Sequence, residues 1–230
     1  MSGGIWAVIP VKELSGAKQR LAALLSPHER QSLATTMLEE VLAALAGATR
    51  LAGVALVTLD PHATQLARHH GWRIITEGAR AGHTGSVDAA RHLLAAEGIP
   101  GILTLPIDIP LVTPAEIDSA LAAHAAAPSF TPSFTIVPAH DEMGSNTIIL
   151  SPPLAVPLRF GENSYHPHLA AARAAGVEPT IVTLPGIAMD IDHPADLRRF
   201  LSLPASHGTL TRAWLEGAGV IERISKDVLF

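Results

Sequence analysis

Short apolar runs alternate along this sequence with longer amphipathic stretches rich in Ala and Leu, and this alternation narrows the possible folds more than any other feature. The runs Ile5 to Val11 and Val54 to Thr58 have the length of buried strands, whereas Ser26 to Gly47 has the length of a helix. Strands and helices in this order pack as βα units around a largely parallel sheet. The sequence therefore predicts an α/β protein.

Other segments follow the same alternation, and two helices begin with clear capping patterns. Ser26 with Glu29, and Thr113 with Glu116, each form a capping box around a first-turn proline. The further predicted elements are helices starting at Asp60, Ser164 and Pro194; a helix from Val87 to Glu97, capped by Ser86 after a loop at Glu77 to Gly85; strands at Trp72 to Thr76, Gly101 to Pro106, Thr135 to Pro138, Thr147 to Leu150 and Pro179 to Leu184; and extended segments at Pro128 to Thr135 and Ala188 to Asp192.

The composition of the chain excludes several functional classes. Its 230 residues are 48% hydrophobic and 16% charged, which predicts one globular domain with an aliphatic core rather than a disordered chain. A net charge of -5 argues against nucleic acid and against anionic membranes as partners. The absence of cysteine excludes disulfides, thiolate zinc sites and cysteine nucleophiles.

The two terminal segments bear on targeting and on the domain boundary. The N-terminal segment lacks the basic region and the apolar length of a signal peptide, and no stretch reaches the ~18 apolar residues of a membrane span. We therefore expect a cytoplasmic protein without a membrane partner. Because patterning weakens near the C-terminus, residues 1–203 are predicted to form the main domain and residues 204–230 a C-terminal arm or tail.

Cations cluster directly after the first predicted strand. Pro10, Val11 and Lys12 end that strand, and Lys18 and Arg20 follow within a few residues. In open α/β sheets, ligands bind beyond the carboxyl ends of the strands, so this segment is predicted to grip phosphate groups. A solvated surface turn is the alternative. The glycine spacing of neither a P-loop nor a GxGxxG loop is present.

Three aspartates also lie near predicted strand ends. Asp108 follows a buried strand, and Asp190 and Asp192 are two residues apart in an extended segment, so their side chains are expected to share one face. Burying three unpaired carboxylates among Ile, Leu, Met and Pro is unfavourable, which favours Mg²⁺ as a partner. The alternative is that Asp108 and Asp192 simply cap the helices that follow them.

A fourth cluster combines glycine and small polar residues in two segments, Met143 to Thr147 and Phe160 to His168. Gly144 and Gly161 allow a close approach of the backbone to a ligand. Ser164 is predicted to start a helix whose first amides bind an anion, although it could also be a plain N-cap. The two histidines of the second segment are too poorly placed to share a metal ion and are predicted to be solvated or core residues.

Together these segments resemble the guanylyltransferases of coenzyme F-420 biosynthesis, which act on 2-phospho-L-lactate or phosphoenolpyruvate. The resemblance implies a Rossmann-like, three-layer nucleotidyltransferase fold of the nucleotide-diphospho-sugar transferase (GT-A) type, with a mostly parallel sheet. The matching pieces are AVIPVK with AKQRL, LPIDIPLV, DEMGSNTIILSPP, FGENSYHPH and DIDHPADL, in the family's order over about residues 5 to 201.

The resemblance also implies roles for individual residues. GTP would be a substrate, and Asp108, Asp190 and Asp192 would hold one or two Mg²⁺ ions. Lys12 and Lys18 would lie near the triphosphate and, with Asp108, form the catalytic set. The nucleotide would contact Pro10, Val11, Lys12, Lys18 and Arg20, and the acceptor pocket would be lined by Ser145, Asn146, Gly161 and Ser164.

One segment departs from the family pattern. Where the family usually has Gly-Leu-Asn-Ala-Ala, Gly85 to Ala90 reads GSVDAA, so the expected asparagine is missing. Gly85, Ser86 and Asp88 are expected to contact the nucleoside by the same resemblance. Asp88 would either accept hydrogen bonds from guanine N1 and N2 or lie on a helix surface.

The expected reaction transfers GMP from GTP to the phosphate of a small phosphocarboxylic acid and releases pyrophosphate. Phosphoenolpyruvate, 2-phospho-L-lactate and 3-phospho-D-glycerate all remain acceptors at this point. The alternatives are another cofactor or sugar nucleotidyltransferase, such as a molybdopterin guanylyltransferase-like or cytidylyltransferase-like enzyme, and a non-catalytic nucleotide-binding module. The resemblance and the Ala/Leu-rich surface also suggest a homodimer.

Overall fold

A computed structural model describes residues 4–126 and 132–226, with the backbone alone for residues 225 and 226. Within these residues the chain forms one seven-stranded sheet in the order β3-β2-β1-β4-β6-β5-β7. The strands are β1 (Ile5–Val11), β2 (Gly53–Thr58), β3 (Arg73–Ile75), β4 (Gly101–Thr104), β5 (Ser133–Pro138), β6 (Ser145–Ser151) and β7 (Thr180–Ile181).

The sheet is mostly parallel, as predicted. Strands β1 to β4 run in one direction, with β1 paired to both β2 and β4. Strand β6 runs antiparallel between β4 and β5, and β7 pairs in parallel with β5. Because β6 is reversed, its first residues lie at the same edge of the sheet as the carboxyl ends of β1 and β4, which is the edge where α/β sheets bind ligands.

Helices cover both faces of the sheet and complete a three-layer structure. Ala7, Ile9 and Val11 of β1 face one apolar cluster, and the alternating Val8 faces another, since successive strand residues point to opposite sides. The described helices are α1 (Pro27–Gly47), α2 (Pro61–His69), α3 (Gly82–Ala96), α4 (Pro114–Ala125), α5 (Tyr165–Ala174), α6 (Pro185–Ala188), α7 (Pro194–Ser202), α8 (Leu210–Gly217) and α9 (Val220–Lys226).

Residues 204–224 pack against the main domain. Leu215 of α8 and Val220 and Ile224 of α9 belong to a third apolar cluster, which also contains Leu33 of α1 and Phe200 of α7. Helices α8 and α9 therefore pack against α1 and cover part of its surface.

Three predicted elements differ from the structure. Helix α3 begins at Gly82 rather than after Ser86, because the Ser86 hydroxyl donates to the carbonyls of Gly82 at 2.7 Å and Gly78 at 3.0 Å instead of capping amides. The predicted strand from Pro179 to Leu184 is ordered as a strand only at β7. Helix α6 was not predicted, and it ends at Ala188, the first residue of the extended segment predicted from Ala188 to Asp192. Of the extended segment predicted from Pro128 to Thr135, residues 128–131 lie outside the described residues.

Candidate active site

Two adjoining cavities open at the edge of the sheet that contains the carboxyl ends of β1 and β4. The first, of about 470 Å³, is lined by the segment between β1 and α1; the second, of about 690 Å³, is lined by the segments before β6 and α5. They form one continuous cleft, because six residues line both: Lys12, Arg20, His83, Pro106, Asp108 and Asp192.

The first cavity is built by two short 3₁₀ turns that follow β1. Leu14 is buried at 3% exposure, and its amide donates to the Asp60 carboxylate at 3.1 Å, which anchors the first turn to the start of α2. Lys12 is exposed at the mouth of the cavity. Lys18 adopts a left-handed backbone conformation, with φ of 53°, directly before the second turn. This conformation directs Lys18 inward, toward the carboxylates of the cleft.

Lys18 joins two of the predicted metal ligands. Its ammonium donates to Asp108 at 2.6 Å and to Asp192 at 2.8 Å, and its side chain is only 8% exposed. Burial opposes the charge on Lys18, but the two carboxylates outweigh this effect and raise its pKa. Burial alone would raise the pKa of Asp192, but the positive charges of Lys18 and then Arg20 hold that pKa below its ordinary value. The three groups form one charge-paired cluster.

Asp190 joins this cluster from the second cavity. Its Oδ1 accepts from the Asn146 side-chain amide at 3.0 Å, and the same amide donates to the carbonyl of Ile187 at 2.9 Å. Burial, with the negative charges of Asp108 and Asp192, raises the pKa of Asp190. The segment lies beside Asp108, because the Ile191 amide donates to the Asp108 carbonyl at 3.0 Å.

The helix-cap alternative for these aspartates is wrong. Thr113 caps α4, and its hydroxyl accepts from Glu116. At α7, Asp196 accepts from the backbone amides of Asp192 and His193, so the Asp192 side chain remains directed to Lys18 and Arg20.

The chemistry of the carboxylate set fits a hard divalent cation, which prefers oxygen ligands. Across residues 4–126 and 132–226, however, no group of three or more His, Cys, Asp or Glu side chains is arranged to hold a metal ion. The Lys18 ammonium lies between two of the three candidate carboxylates. A bound cation at this position therefore requires Lys18 to move.

The predicted acceptor residues all line the second cavity: Ser145, Asn146, Gly161 and Ser164. Ser145 is the first residue of β6, and its hydroxyl accepts from Ser164 at 3.3 Å. Gly161 has φ of 145°, a conformation that side chains rarely adopt. The turn that holds Gly161 is fixed to α3, because the Thr84 hydroxyl is bonded to both the amide and the carbonyl of Phe160.

The start of α5 offers fewer amides to an anion than the sequence predicts. Ser164 directly precedes α5, as predicted, but it has a helical backbone conformation and its side chain accepts no bond from the first amides, so the plain N-cap alternative is wrong. The Tyr165 amide donates to the Met143 carbonyl at 3.0 Å, and Pro167 has no N–H to donate. The Ser145 hydroxyl, which accepts from the buried Ser164, is therefore the more accessible donor at this end of the cleft.

Four residues predicted to contact the nucleotide do not line the described cleft. Val11 is buried in the core beneath it. Gly85, Ser86 and Asp88 lie within α3, because that helix starts earlier than predicted. Asp88 pairs with Arg91, which in turn donates to the Val156 carbonyl at 2.8 Å. This pairing corresponds to the helix-surface alternative for Asp88.

His83 is a cleft residue that the sequence analysis missed. It lies at the start of α3, lines both cavities, and packs edge-on against Phe160 with ring centroids 4.6 Å apart. Burial lowers the pKa of His83 to about 4, so the ring is neutral near pH 7. The sequence placed His83 in the predicted loop from Glu77 to Gly85, and no spacing singled it out.

The two histidines near the start of α5 have separate environments. His166 is exposed and His168 is buried, so the two side chains do not share a face, as predicted. In the part of the chain that the structure describes, no helix combines the length and the apolarity needed to cross a membrane.

Sequence comparison identifies a family and several relatives. The sequence model of the family described as "Guanylyl transferase CofC like" matches residues 5–225. A protein of Rubrobacter xylanophilus named phosphoenolpyruvate guanylyltransferase is 37% identical over 211 residues, which cover 90% of this chain and 97% of that protein. One of the same name from Sphaerobacter thermophilus is 35% identical over 83% of this chain and 89% of its own length.

Solved structures with a similar fold are more distant in sequence. A protein from Desulfovibrio desulfuricans G20, described as a nucleotide-diphospho-sugar transferase, superposes with a TM-score of 0.74 at 18% identity over 97% of this chain and 99% of that chain. A 4-diphosphocytidyl-2C-methyl-D-erythritol synthase superposes with a TM-score of 0.56 at 15% identity, over 86% and 97% of the two chains. At such identities these structures support the predicted nucleotidyltransferase fold and nothing more specific.

Proposed function

The chain belongs to the CofC-like guanylyl transferase family and is a nucleotidyltransferase, and from this premise we propose that it transfers GMP from GTP to the phosphate of phosphoenolpyruvate. Pyrophosphate is the second product. We propose phosphoenolpyruvate as the acceptor, rather than 2-phospho-L-lactate or 3-phospho-D-glycerate, because the two relatives described above are named after it. We further propose that the reaction serves coenzyme F-420 biosynthesis.

The observation that carries this proposal is the continuity of the cleft. Lys18 lines only the first cavity and the serine hydroxyls line only the second, whereas both cavities share the side chains of Lys12, Arg20, Asp108 and Asp192. GTP fits the first cavity, where cations offset the charge of its phosphates. The phosphoacid is assigned to the second, where the Ser145 hydroxyl can donate to it and where Lys12 and Arg20 offset the carboxylates that also line this cavity. The two reacting phosphates would then meet at the aspartates.

The chemistry needs alignment and charge neutralisation more than proton transfer. An oxygen of the acceptor phosphate attacks the α-phosphorus of GTP and forms a P–O bond, while the bond from that phosphorus to the β-phosphate oxygen breaks and pyrophosphate leaves with the electron pair. The nucleophile is already anionic, so no general base is required. Lys12 and Arg20 would stabilise the leaving pyrophosphate. Lys18 would contact the α-phosphate after its ammonium has left the carboxylates of the cleft.

Mg²⁺ belongs to the proposal as a cofactor that this donor set can accommodate. Asp108, Asp190 and Asp192 would hold one or two ions, and Lys18 would exchange its carboxylate partners for phosphate oxygens. When bound, the metal would supply positive charge to the phosphates of GTP. A cytoplasmic location, a homodimer and the absence of nucleic-acid partners stay predictions.

Two alternatives share parts of this geometry. Another cofactor or sugar nucleotidyltransferase has the same fold, and the solved structures described above support that class at the level of the fold. A non-catalytic nucleotide-binding module would keep the cleft but would turn over no nucleotide with any acceptor.

The experiment that separates these functions is a pyrophosphate-release screen. GTP, ATP and CTP are each combined with phosphoenolpyruvate, 2-phospho-L-lactate and 3-phospho-D-glycerate in the presence of Mg²⁺. We expect release that needs both GTP and phosphoenolpyruvate, and a large loss of release in Asp108→Asn with the melting temperature retained. Release with CTP in preference to GTP would favour the alternative transferase, and no release in any combination would favour the binding module.

A further inference from the structure

A buried histidine, His168, lies behind the serine pair of the second cavity without lining the cavity itself. It belongs to α5 and is only 1% exposed. Its Nδ1 is 2.9 Å from the Ser145 hydroxyl oxygen, and its Nε2 accepts from the backbone amide of Arg159 at 2.9 Å. Both ring nitrogens are therefore occupied, one by a fixed amide and one by a residue of the proposed acceptor pocket.

The contact with Arg159 determines which ring nitrogen carries the proton. A backbone N–H can only donate, so Nε2 must supply a lone pair and cannot be protonated. Burial lowers the pKa of His168 to about 4, which keeps the ring neutral near pH 7. A neutral ring with an unprotonated Nε2 carries its proton on Nδ1. His168 therefore donates to Ser145 and does not accept from it.

The consequence concerns the direction of the Ser145 hydroxyl. A hydroxyl has two acceptor lone pairs and one proton. The Ser145 oxygen accepts from His168 at 2.9 Å and from the Ser164 hydroxyl at 3.3 Å, so these two bonds occupy both lone pairs. The proton of Ser145 remains for a partner in the second cavity, which Ser145 and Ser164 both line. A hydroxyl in this state can only donate, which matches an anionic oxygen.

We propose that His168 is a positioning residue for the acceptor: it holds Ser145 as a hydrogen-bond donor and thereby selects an anionic oxygen of the phosphoacid. This inference rests on the proposed function, in which the acceptor binds in the second cavity and contacts Ser145. His168 acts through Ser145 and does not itself touch the substrate.

A matched pair of variants separates the two contacts of His168. In His168→Asn, the shorter amide can donate to Ser145 but does not reach the Arg159 amide. In His168→Gln, the longer side chain can accept from Arg159 but leaves Ser145 without its donor. We expect His168→Gln to raise the KM for phosphoenolpyruvate by ~10-fold or more and His168→Asn by less than ~3-fold, with the KM for GTP within ~3-fold of wild type in both.

A double-mutant cycle tests whether His168 acts through Ser145. The variant Ser145→Ala/His168→Gln should raise the acceptor KM no further than Ser145→Ala alone, because the second change removes a donor that no longer has a target. Additive effects, equal losses in the Asn and Gln variants, or a parallel rise in the KM for GTP would each overturn the proposal. Melting temperatures of all variants are measured to identify any that are misfolded.

A measurement on the unmodified protein covers the case in which His168→Gln does not fold. ¹⁵N spectroscopy of the histidine side chains, assigned by comparison with His168→Asn, should find a protonated Nδ1 and an unprotonated Nε2 for His168 at pH 7. The opposite tautomer would overturn the proposal. If the tautomer is as expected but no phosphoacid supports turnover, the proposed function fails while the hydrogen-bond assignment stands.

Discussion

Lys18 holds the two sides of the cleft together at the scale of single residues. Its ammonium neutralises Asp108 and Asp192, whose side chains are 22% and 41% exposed, respectively. Its left-handed backbone is unusual for a residue with a side chain, and strain of this kind is often found at functional sites. The carboxylates that hold Lys18 are also those proposed for Mg²⁺, so binding of metal and nucleotide is expected to release Lys18 toward phosphate.

The two lysines of the cleft are expected to respond differently to substitution. Lys18→Met should lower the free energy of unfolding by about 1 to 3 kcal/mol, because it leaves Asp108 without its cation and Asp192 with Arg20 alone. Lys12→Met should leave stability nearly unchanged, since Lys12 is exposed. Both should lower kcat/KM by ~100-fold or more if they neutralise the phosphates in the transition state. Urea unfolding and steady-state kinetics measure the two effects.

Arg68→Met on the exposed surface of α2 is the control for these variants, because Arg68 lines neither cavity. Wild-type kinetics in Lys12→Met would assign Lys12 to a solvated surface turn. Unchanged stability in Lys18→Met would show that water replaces the lysine without loss.

At the scale of elements, the turn that contains Gly161 is expected to determine acceptor binding. Gly161→Val adds a side chain at the wall of the second cavity, and it should raise the KM for phosphoenolpyruvate at least ~10-fold. Affinity for GTP, measured by calorimetry, should stay near wild type because the turn does not line the first cavity. An equal fall in GTP affinity would assign the turn to the nucleotide instead.

The control for this variant is Gly208→Val. Gly208 also has a positive φ, of 84°, and an added Cβ at either glycine would meet no atom within 4 Å. Gly208 belongs to the segment before α8 and lines neither cavity. Both variants place a side chain at a backbone conformation that side chains rarely adopt, so an acceptor effect seen only in Gly161→Val is assigned to the cleft.

The elements that the sequence predicted best are those with local signals. The capping boxes of α1 and α4 fix their first turns, and both were predicted from Ser26 and Thr113. The start of α3 was missed because the Ser86 hydroxyl bonds backward to carbonyls, a choice that spacing does not reveal. Asp108 was predicted because it follows a strand at the ligand-binding edge of the sheet. Its hydrogen bond with Lys18 was not predicted, because the two residues are 90 positions apart and no local pattern links them.

At the scale of the whole molecule, the C-terminal helices contribute to the core. Leu215 of α8 is fully buried in the cluster that contains Leu33 and Phe200. Leu215→Ala should lower the free energy of unfolding by about 2 to 5 kcal/mol, the range for buried leucines. Leu210→Ala in the same helix is the control, because Leu210 is 55% exposed. Equal and small effects in urea unfolding would indicate a C-terminal arm that is loosely attached.

The stability of the molecule is also expected to depend on pH through three buried histidines. Burial lowers the pKa values of His83, His124 and His168 to about 4, whereas the ordinary value is 6.5. Between these pH values the unfolded chain binds more protons, so each histidine stabilises the fold above pH 6.5 and loses that contribution as pH falls toward 4. Burial raises the pKa values of Glu40 and Asp190, which opposes the trend.

A single substitution isolates one histidine from this sum. His124→Gln should reduce the pH dependence of the unfolding free energy between pH 4 and 6.5 by at most about 1.4 kcal/mol per pH unit, the contribution of one proton. His28→Gln, at an exposed position, is the matched control. Urea unfolding at several pH values measures the slopes, and equal slopes in the two variants would mean that His124 is protonated in the folded protein.

The central claim is that the phosphate of the acceptor attacks GTP within this cleft. Phosphoenolpyruvate labelled with ¹⁸O in its phosphate group is incubated with GTP, Mg²⁺ and the enzyme, and the products are examined by ³¹P NMR. We expect a product with two linked phosphorus atoms and ¹⁸O in the bridge between them, together with unlabelled pyrophosphate. GMP bonded to the carboxylate, or labelled pyrophosphate, would contradict this assignment of the nucleophile.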